Sequence, residues 1–341
     1  MNAKQPSFTA ATPAPALGIA ELAQASKAAG DPLRLHILQL LGQGAFGVLE
    51  LCQVFDIKQS SLSHHLKVLA QAGLVSTQRE GNSIFYRRPL LTADDDRSRW
   101  LKALFQAIDA AQAETDIAPA VAQVLSSRAE ACAEFFARHA HEFKEQQDLI
   151  ASHDQYGDAL TALLSSLSGK AKRLSGSGDA LEIGPGEGAF LPVLAKHFAG
   201  VTALDISPDM LQKSAARVAQ EQLNNVQCIA GDTASLLPYQ AGRYEFAAAN
   251  MVLHHVPAPK TIFTDAAQLL APGGTLLITD LCHHDQVWAR ESCGDLWLGF
   301  EPADLSAWAQ EAGLVEGQSQ YSGLRNGFQI QFRLFHRPPV H

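Results

Sequence analysis

The sequence predicts an α/β chain in three parts: a small α+β head, a helical connector, and a C-terminal domain built on a parallel sheet with helices on both faces. Three observations predict it. Residues from about Ile19 to Arg88 alternate helical apolar periods with short breaks and end in a hairpin-like stretch. From Leu91 to about Leu174 the chain is rich in Ala, Gln and Glu, with apolar residues at three- and four-residue spacing. Beyond "SGSG" (Ser175 to Gly178) short β-like runs alternate with amphipathic helices, the pattern of a parallel sheet.

A length of 341 residues exceeds one typical core and fits two domains with a connector. The expected organisation is a disordered tail over 1–18, a small α+β head over 19–90, a helical connector over 91–174 and a parallel-sheet domain over 175–341. The tail, "MNAKQPSFTAATPAPALG", has the Ala, Pro and Thr content of disorder and no apolar core of signal-peptide length. No apolar run approaches the roughly 18 residues of a membrane span. The five cysteines are scattered, odd in number and form no CxxC pair, which fits reduced thiols in a cytoplasmic protein. A net charge of −9 excludes a protein that coats nucleic acid with its whole surface. Between Lys58 and Arg88, however, five basic residues stand against one acid, Glu80. An acidic body with one basic patch can bind DNA through that patch.

The head is read from "ELCQVFDIKQSSLSHHLKVLAQAGLVSTQREGNSIFYRR", Glu50 to Arg88. A short helix, a tight connection through Asp56 and Ile57, and a second helix from near Gln59 are expected. Leu62, Leu66 and Leu69, with Val68 beside them, would face the core. Gln59, Ser60, Ser61, Ser63, His64 and Lys67 would point outward. Small hydroxyls and a base on the exposed turns suit a helix entering the major groove. His65 fits a packed role as well as DNA contact. Two strands around Glu80-Gly81-Asn82 would form a wing, with Arg79, Arg87 and Arg88 against the DNA backbone. From "KAAGDPLRLHILQLL" through the "SxHLKxLxxAGLV" block to the wing, these residues resemble the ArsR family of winged helix-turn-helix repressors. The resemblance implies a homodimer on double-stranded operator DNA, with "LTADDDRSRWLKALFQAID" packing as a dimer helix against Leu22 to Ala28. Many relatives sense metals through paired cysteines before the recognition helix; here only Cys52 stands there, and no metal is expected.

The downstream half opens on "LEIGPGEGAF". Gly184-x-Gly186-x-Gly188, with Ala189, also satisfies a dinucleotide fingerprint, and Asp205 lies 21 residues past Gly184. Charge separates the readings. Glu182 beside the loop would repel a pyrophosphate, whereas it would favour the ammonium and sulfonium of S-adenosylmethionine. Asp205, followed by Ile206, stands at a strand tip where it can accept ribose hydroxyls. Asp232 and Thr233 follow the next strand, where Asp232 suits either the adenine amino group or a helix N-cap. Asn250 to His255 would lie over the sulfonium end. With "LAPGGTLLITD" and the closing pair around Arg325-Asn326-Gly327, the region resembles class I methyltransferases, which implies a Rossmann-like, seven-stranded domain binding S-adenosylmethionine or S-adenosylhomocysteine. "AEACAEFFARHAHEF" looks like the helix that caps the cofactor in such enzymes.

Candidate chemistry is sparse. His254 and His255 are the only weak candidates for a catalytic base. Cys282, His283, His284 and Asp285 are good ligand types, but adjacent residues on one backbone rarely converge on one ion, and Cys293 is the one obvious addition. Arsenite methyltransferases rely on a cysteine set that nothing here reproduces. Two readings therefore stand: a transcription regulator whose methyltransferase-like domain is an effector pocket, and an active small-molecule methyltransferase with a regulatory head. The fusion resembles S-adenosylhomocysteine-responsive regulators of methionine metabolism. An intact DNA-reading surface beside full cofactor motifs without acceptor chemistry favours the first.

Overall fold

A computed structural model describes residues 17–91, 95–112, 116–139, 143–168, 174–175 and 177–339. Residues 1–16 of the tail expected over 1–18 lie outside the described residues. The chain folds as two units. The first comprises Met1–Cys52, Ile57–Thr77 and Tyr86–Thr115; the second comprises Gln53–Asp56, Gln78–Phe85 and Asp116–His341. The helical stretch after Leu91 is thus divided between the units, and so is the hairpin.

In the N-terminal part, helices α1 (Ile19–Ala29) and α2 (Pro32–Leu40) precede a two-residue strand β1 (Phe46–Gly47). Then come α3 (Val48–Phe55), α4 (Gln59–Gln71), the hairpin strands β2 (Ser76–Glu80) and β3 (Ser83–Arg87), and α5 (Asp96–Ala110). The three strands form one sheet in the order β1-β3-β2. The sequence dictates the helix ends. The Asp31 carboxylate accepts from the Arg34 N–H (3.0 Å) with Pro32 at the first helical position, so α2 starts there. Helix α4 stops at Gly73, whose φ of +64° lets the Leu74 N–H reach back to the Leu69 carbonyl (2.9 Å). Leu38, Leu62, Leu66, Leu69 and Leu74 are fully buried and form the core. Helix α5 packs on α2, where the Gln39 side chain donates to the carbonyls of Ile108 and Ala111 (both 3.0 Å). Helix α1 is met at an Arg97–Glu21 ion pair (2.6 Å).

The second unit begins with α6 (Ala118–His139), α7 (Phe143–Ile150) and α8 (His153–Ser168). Strands and helices then alternate: β4 (Asp179–Ile183), α9 (Leu191–His197), β5 (Gly200–Asp205), α10 (Pro208–Gln220), β6 (Val226–Ala230), α11 (Thr233–Gln240) and β7 (Tyr244–Asn250). A 3-10 turn (Leu253–His255) leads to α12 (Pro259–Leu269), β8 (Leu270–Leu281), α13 (Trp288–Cys293), α14 (Pro302–Glu311), β9 (Val315–Gly323) and β10 (Gln329–His336). The seven strands run in the order β6-β5-β4-β7-β8-β10-β9. Strands β4 to β8 are parallel, and β10 is antiparallel to both its neighbours. Near-continuous apolar runs such as "EFAAA" are what a strand covered on both faces requires. Ala247, Ala248, Leu276, Leu277 and Ile278 are fully buried accordingly. The order also fixes where a ligand can go. The chain runs outward from β4 through β5 to β6, then returns to β7 on the other side of β4. The carboxyl ends of β4, β5 and β7 flank that reversal, the place where open α/β sheets leave a crevice.

Candidate functional site

Helix α4 presents the first surface. With Leu62, Leu66 and Leu69 turned into the core, the helical period forces the residues between them outward. Gln59, Ser60, Ser61, Ser63, His64 and Lys67 are all exposed on it, as expected. His65 is not part of that face: it is half-buried, with Nδ1 3.7 Å from an Asp31 carboxylate oxygen. In the hairpin Arg79 is exposed and Arg87 half-buried. Arg88 departs from the expected phosphate contact. Its guanidinium binds both carboxylate oxygens of Asp109 (2.8 and 2.5 Å) and donates to the Leu38 carbonyl (2.8 Å) over the Phe105 ring. Three partners on α2 and α5 outcompete solvent, so this arginine is a structural tie. Glu80 also departs from expectation. Counted as a wing-surface acid, it is completely buried, and its carboxylate accepts from the Leu298 N–H (2.6 Å) while its carbonyl accepts from Arg290 (2.6 Å), all within the second unit. Burial raises its pKa.

The second surface is the loop after β4. Gly184, Gly186 and Gly188 all take positive φ (64°, 57° and 74°). A Cβ on Gly184 would lie 2.4 Å from Val252, while Gly186 has nothing within 4 Å, so the loop turns tightly and leaves room at its middle glycine. The Asp205 carboxylate accepts from the N–H groups of Ser207 (2.8 Å), Gly186 and Ile206, which latches the glycine loop to the end of β5. Burial raises the Asp205 pKa and these bonds partly offset it. Ile206 beside it is 64% exposed, a large apolar side chain left uncovered at a strand tip. Glu182 is buried, with Oε1 3.4 Å from the Asn250 amide nitrogen and Oε2 without a hydrogen-bond partner. Burial, chiefly, pushes its pKa up to about 8. The Asn250 side-chain oxygen is likewise buried and unpartnered. Two expected contacts resolve differently. Asp232 caps α11 by accepting from the Ser235 N–H (2.9 Å), the alternative foreseen for it. The Thr233 hydroxyl is buried and donates to Asp265 (2.5 Å), so its side chain serves packing of α11 on α12.

Both parts of the chain are similar to known proteins. Residues 31–77 match the bacterial regulatory protein, arsR family, and residues 181–278 match a methyltransferase domain family. A biofilm growth-associated repressor of Agrobacterium fabrum is 42% identical over 85 residues, covering 25% of this chain and 69% of that protein. The chain belongs to the arsR family of bacterial regulators. Behind its DNA-binding head this regulator carries a Rossmann-like methyltransferase domain. A ubiquinone biosynthesis O-methyltransferase of Coxiella burnetii is 28% identical over 168 residues, covering 44% of this chain and 70% of that enzyme. Among solved structures, the N-methyltransferase NodS of Bradyrhizobium japonicum superposes with a TM-score of 0.42 at 20% identity, covering 54% of the regulator and 97% of that chain. No helix among the described residues is long and apolar enough to cross a membrane.

The regulator's histidines after β7 do not open onto a free surface. His254 is fully buried; its Nδ1 pairs with Asp280 Oδ1 (2.7 Å), and its Nε2 faces Asp295 Oδ1 across 4.0 Å. Burial lowers its pKa, but the charges of Asp280 and Asp295 win and lift it to about 9. His255 is buried against it, with Nδ1 3.3 Å from the Gly294 carbonyl and Nε2 3.0 Å from the Gln147 amide nitrogen. Burial and the neighbouring His254 charge hold it well below the ordinary histidine value. Burial pushes Asp295 up to about 7. Sequence reading missed Asp280 and Asp295 altogether: one follows a strand pattern and the other a short loop, and neither spacing marks them. Cys282 and His284 are half-buried, His283 and Asp285 are exposed, and His284 Nδ1 accepts from the Gln286 N–H (3.3 Å).

Proposed function

We propose that the protein is a DNA-binding transcription regulator whose methyltransferase-like domain binds S-adenosylhomocysteine or S-adenosylmethionine as an effector, on genes of the methionine and S-adenosylmethionine cycle. It acts as a cytoplasmic homodimer on operator DNA. The observation that carries this reading is Glu182: a buried carboxyl with an unpartnered oxygen at the glycine turn, beside a second unpartnered oxygen on Asn250. Two buried, unpartnered acceptor atoms form a hostile place for a pyrophosphate and a favourable one for an α-ammonium or sulfonium. Ile206, exposed next to Asp205, offers an apolar face for a purine while the carboxylate takes ribose hydroxyls. The exposed hydroxyls and Lys67 on α4 supply DNA contact. Regulation is favoured over turnover because the two candidate bases are buried among their own partners.

Similarity to a ubiquinone biosynthesis O-methyltransferase supports a second reading, an active methyltransferase with a regulatory head. One experiment separates the two. Purified protein is tested for stabilisation by each adenosyl ligand, then for operator mobility shift with and without it, and for methyl release from labelled S-adenosylmethionine. Ligand-dependent DNA affinity without methyl release is the expected result. Turnover on a small acceptor, with DNA affinity unchanged, reverses the ranking.

A further inference from the structure

We propose that His254, His255 and Asp295 form a buried tetrahedral site for a divalent transition metal ion, with zinc the best fit. The site is distinct from the "CHHD" run, and no spacing in the sequence marks it. One ligand atom from each of the three residues lies within 4.8 Å of the others, and all three side chains are buried. Ligands at zinc bond lengths are separated by about 3.4 Å across a tetrahedron. The observed separations are 4.0 Å from His254 Nε2 to Asp295 Oδ1 and 3.9 Å from His255 Nδ1 to the same oxygen. Shifts of about half an ångström would bring the Asp295 oxygen to ligand spacing from both ring nitrogens.

Three further features point to an ion. Both oxygens of Asp295 and the Nε2 of His254 are buried without hydrogen-bond partners, so a bare carboxylate and a ring nitrogen face each other across a gap. A hydrogen bond cannot span 4.0 Å, and a shared proton therefore does not satisfy them. His254 is also oriented as a metal-bound histidine is. Its Nδ1 is held by Asp280, whose carboxylate is fixed in turn by the N–H groups of Leu253 (2.9 Å) and Leu281 (2.8 Å). That carboxylate–histidine arrangement sets Nε2 as the lone-pair nitrogen. Finally, His255 has a matching outer partner. When Nδ1 ligates, it gives up its hydrogen bond to the Gly294 carbonyl (3.3 Å), and Nε2 carries the proton and donates to the Gln147 amide, whose oxygen and nitrogen exchange places by a flip. The donor set is two imidazoles and one carboxylate, the set zinc accepts with a fourth position left over. A water completes the tetrahedron. The ion would pin the Leu253–His255 turn to the Gly294–Trp297 segment.

The test is a Co2+ and a Zn2+ titration of the full-length protein after chelator treatment, with metal content measured after dialysis. One equivalent of Co2+ with the intense visible absorption of a tetrahedral site is expected, and Zn2+ should displace it. Asp295→Asn and His254→Gln should abolish that spectrum, and Asp280→Asn should weaken binding by about 10- to 100-fold. Cys282→Ser combined with His283→Ala should leave it unchanged. A weak octahedral spectrum, or no retained metal in the wild-type protein, overturns the proposal whatever the variants do. So does loss of the spectrum in the Cys282/His283 variant alone.

Discussion

Glu182 shows how much one side chain can decide. In the folded protein burial lifts its pKa to about 8, while in the unfolded chain it titrates near the ordinary 4.5. Below pH 4.5 both states hold the proton, and the folded state has its full stability from this group. As pH rises from 4.5 to about 8 only the unfolded chain releases the proton, so stability is lost across that window. Glu182→Gln removes the penalty. Its unfolding free energy should match wild type near pH 4.5 and exceed it at pH 8 by a few kcal/mol, since each pH unit of that window costs the wild-type protein about 1.4 kcal/mol. The same variant should bind S-adenosylhomocysteine at least tenfold more weakly by calorimetry, because the ligand's cationic methionyl end would draw the proton off Glu182 and gain a counter-charge that an amide cannot supply. A gain in stability with no loss in affinity would remove Glu182 from the ligand site. A site that trades stability for binding in this way is the expected mark of function.

At the scale of elements, the sequence was most legible where one period governs a whole segment. Helix α4 is the clear case: three leucines at helical spacing fixed which residues face outward, and Gly73 fixed the end. The parallel strands were legible for the same reason, since each apolar run is bounded by a turn residue that has no other use. Legibility failed where a residue's partner is distant in the chain. Arg88 reads as one more wing base, yet Asp109 and the Leu38 carbonyl claim it. Thr233 reads as a ligand contact, yet Asp265 takes its hydroxyl. The His254–Asp280–Asp295 cluster joins three separate segments and no local pattern announces it. The contrast between Lys67 and Arg88 can be measured. Lys67→Ala should weaken binding uniformly across DNA sequences and lower the salt dependence of log K by about one charge. Arg88→Ala should leave the salt slope intact and instead destabilise the first unit by about 2 kcal/mol, and Arg88→Lys should not restore it, since an ammonium cannot reproduce the bidentate fork. Equal salt slopes for both variants would return Arg88 to the DNA surface.

On the proposed function, the question for the whole molecule is how a ligand at the glycine loop would change DNA affinity. The hairpin gives a physical answer, because its strand ends belong to the first unit and its tip, Gln78–Phe85, belongs to the second. Within the second unit the tip is held firmly. Glu80 accepts from the Leu298 N–H, Arg290 donates to the Glu80 carbonyl, and the Phe85 ring meets Trp297 edge-on with centroids 5.2 Å apart. Leu298 also stands three residues after Asp295, in the segment that leads back to His254 through the Leu296 and Trp297 N–H groups, which donate to its carbonyl (2.9 and 3.1 Å). A shift of the loop after β7 on ligand binding would therefore be felt at Glu80. Coupling of this kind amounts to about 1–3 kcal/mol, or a 5- to 150-fold change in operator affinity. Glu80→Ala should keep S-adenosylhomocysteine binding and ligand-free DNA binding near wild type while reducing the ligand-induced change in operator affinity to less than about twofold. The measurement is a DNA titration at zero and saturating ligand for both proteins. An unchanged ligand effect in Glu80→Ala would mean that the signal travels by another route, and the divided hairpin would then be a matter of folding alone.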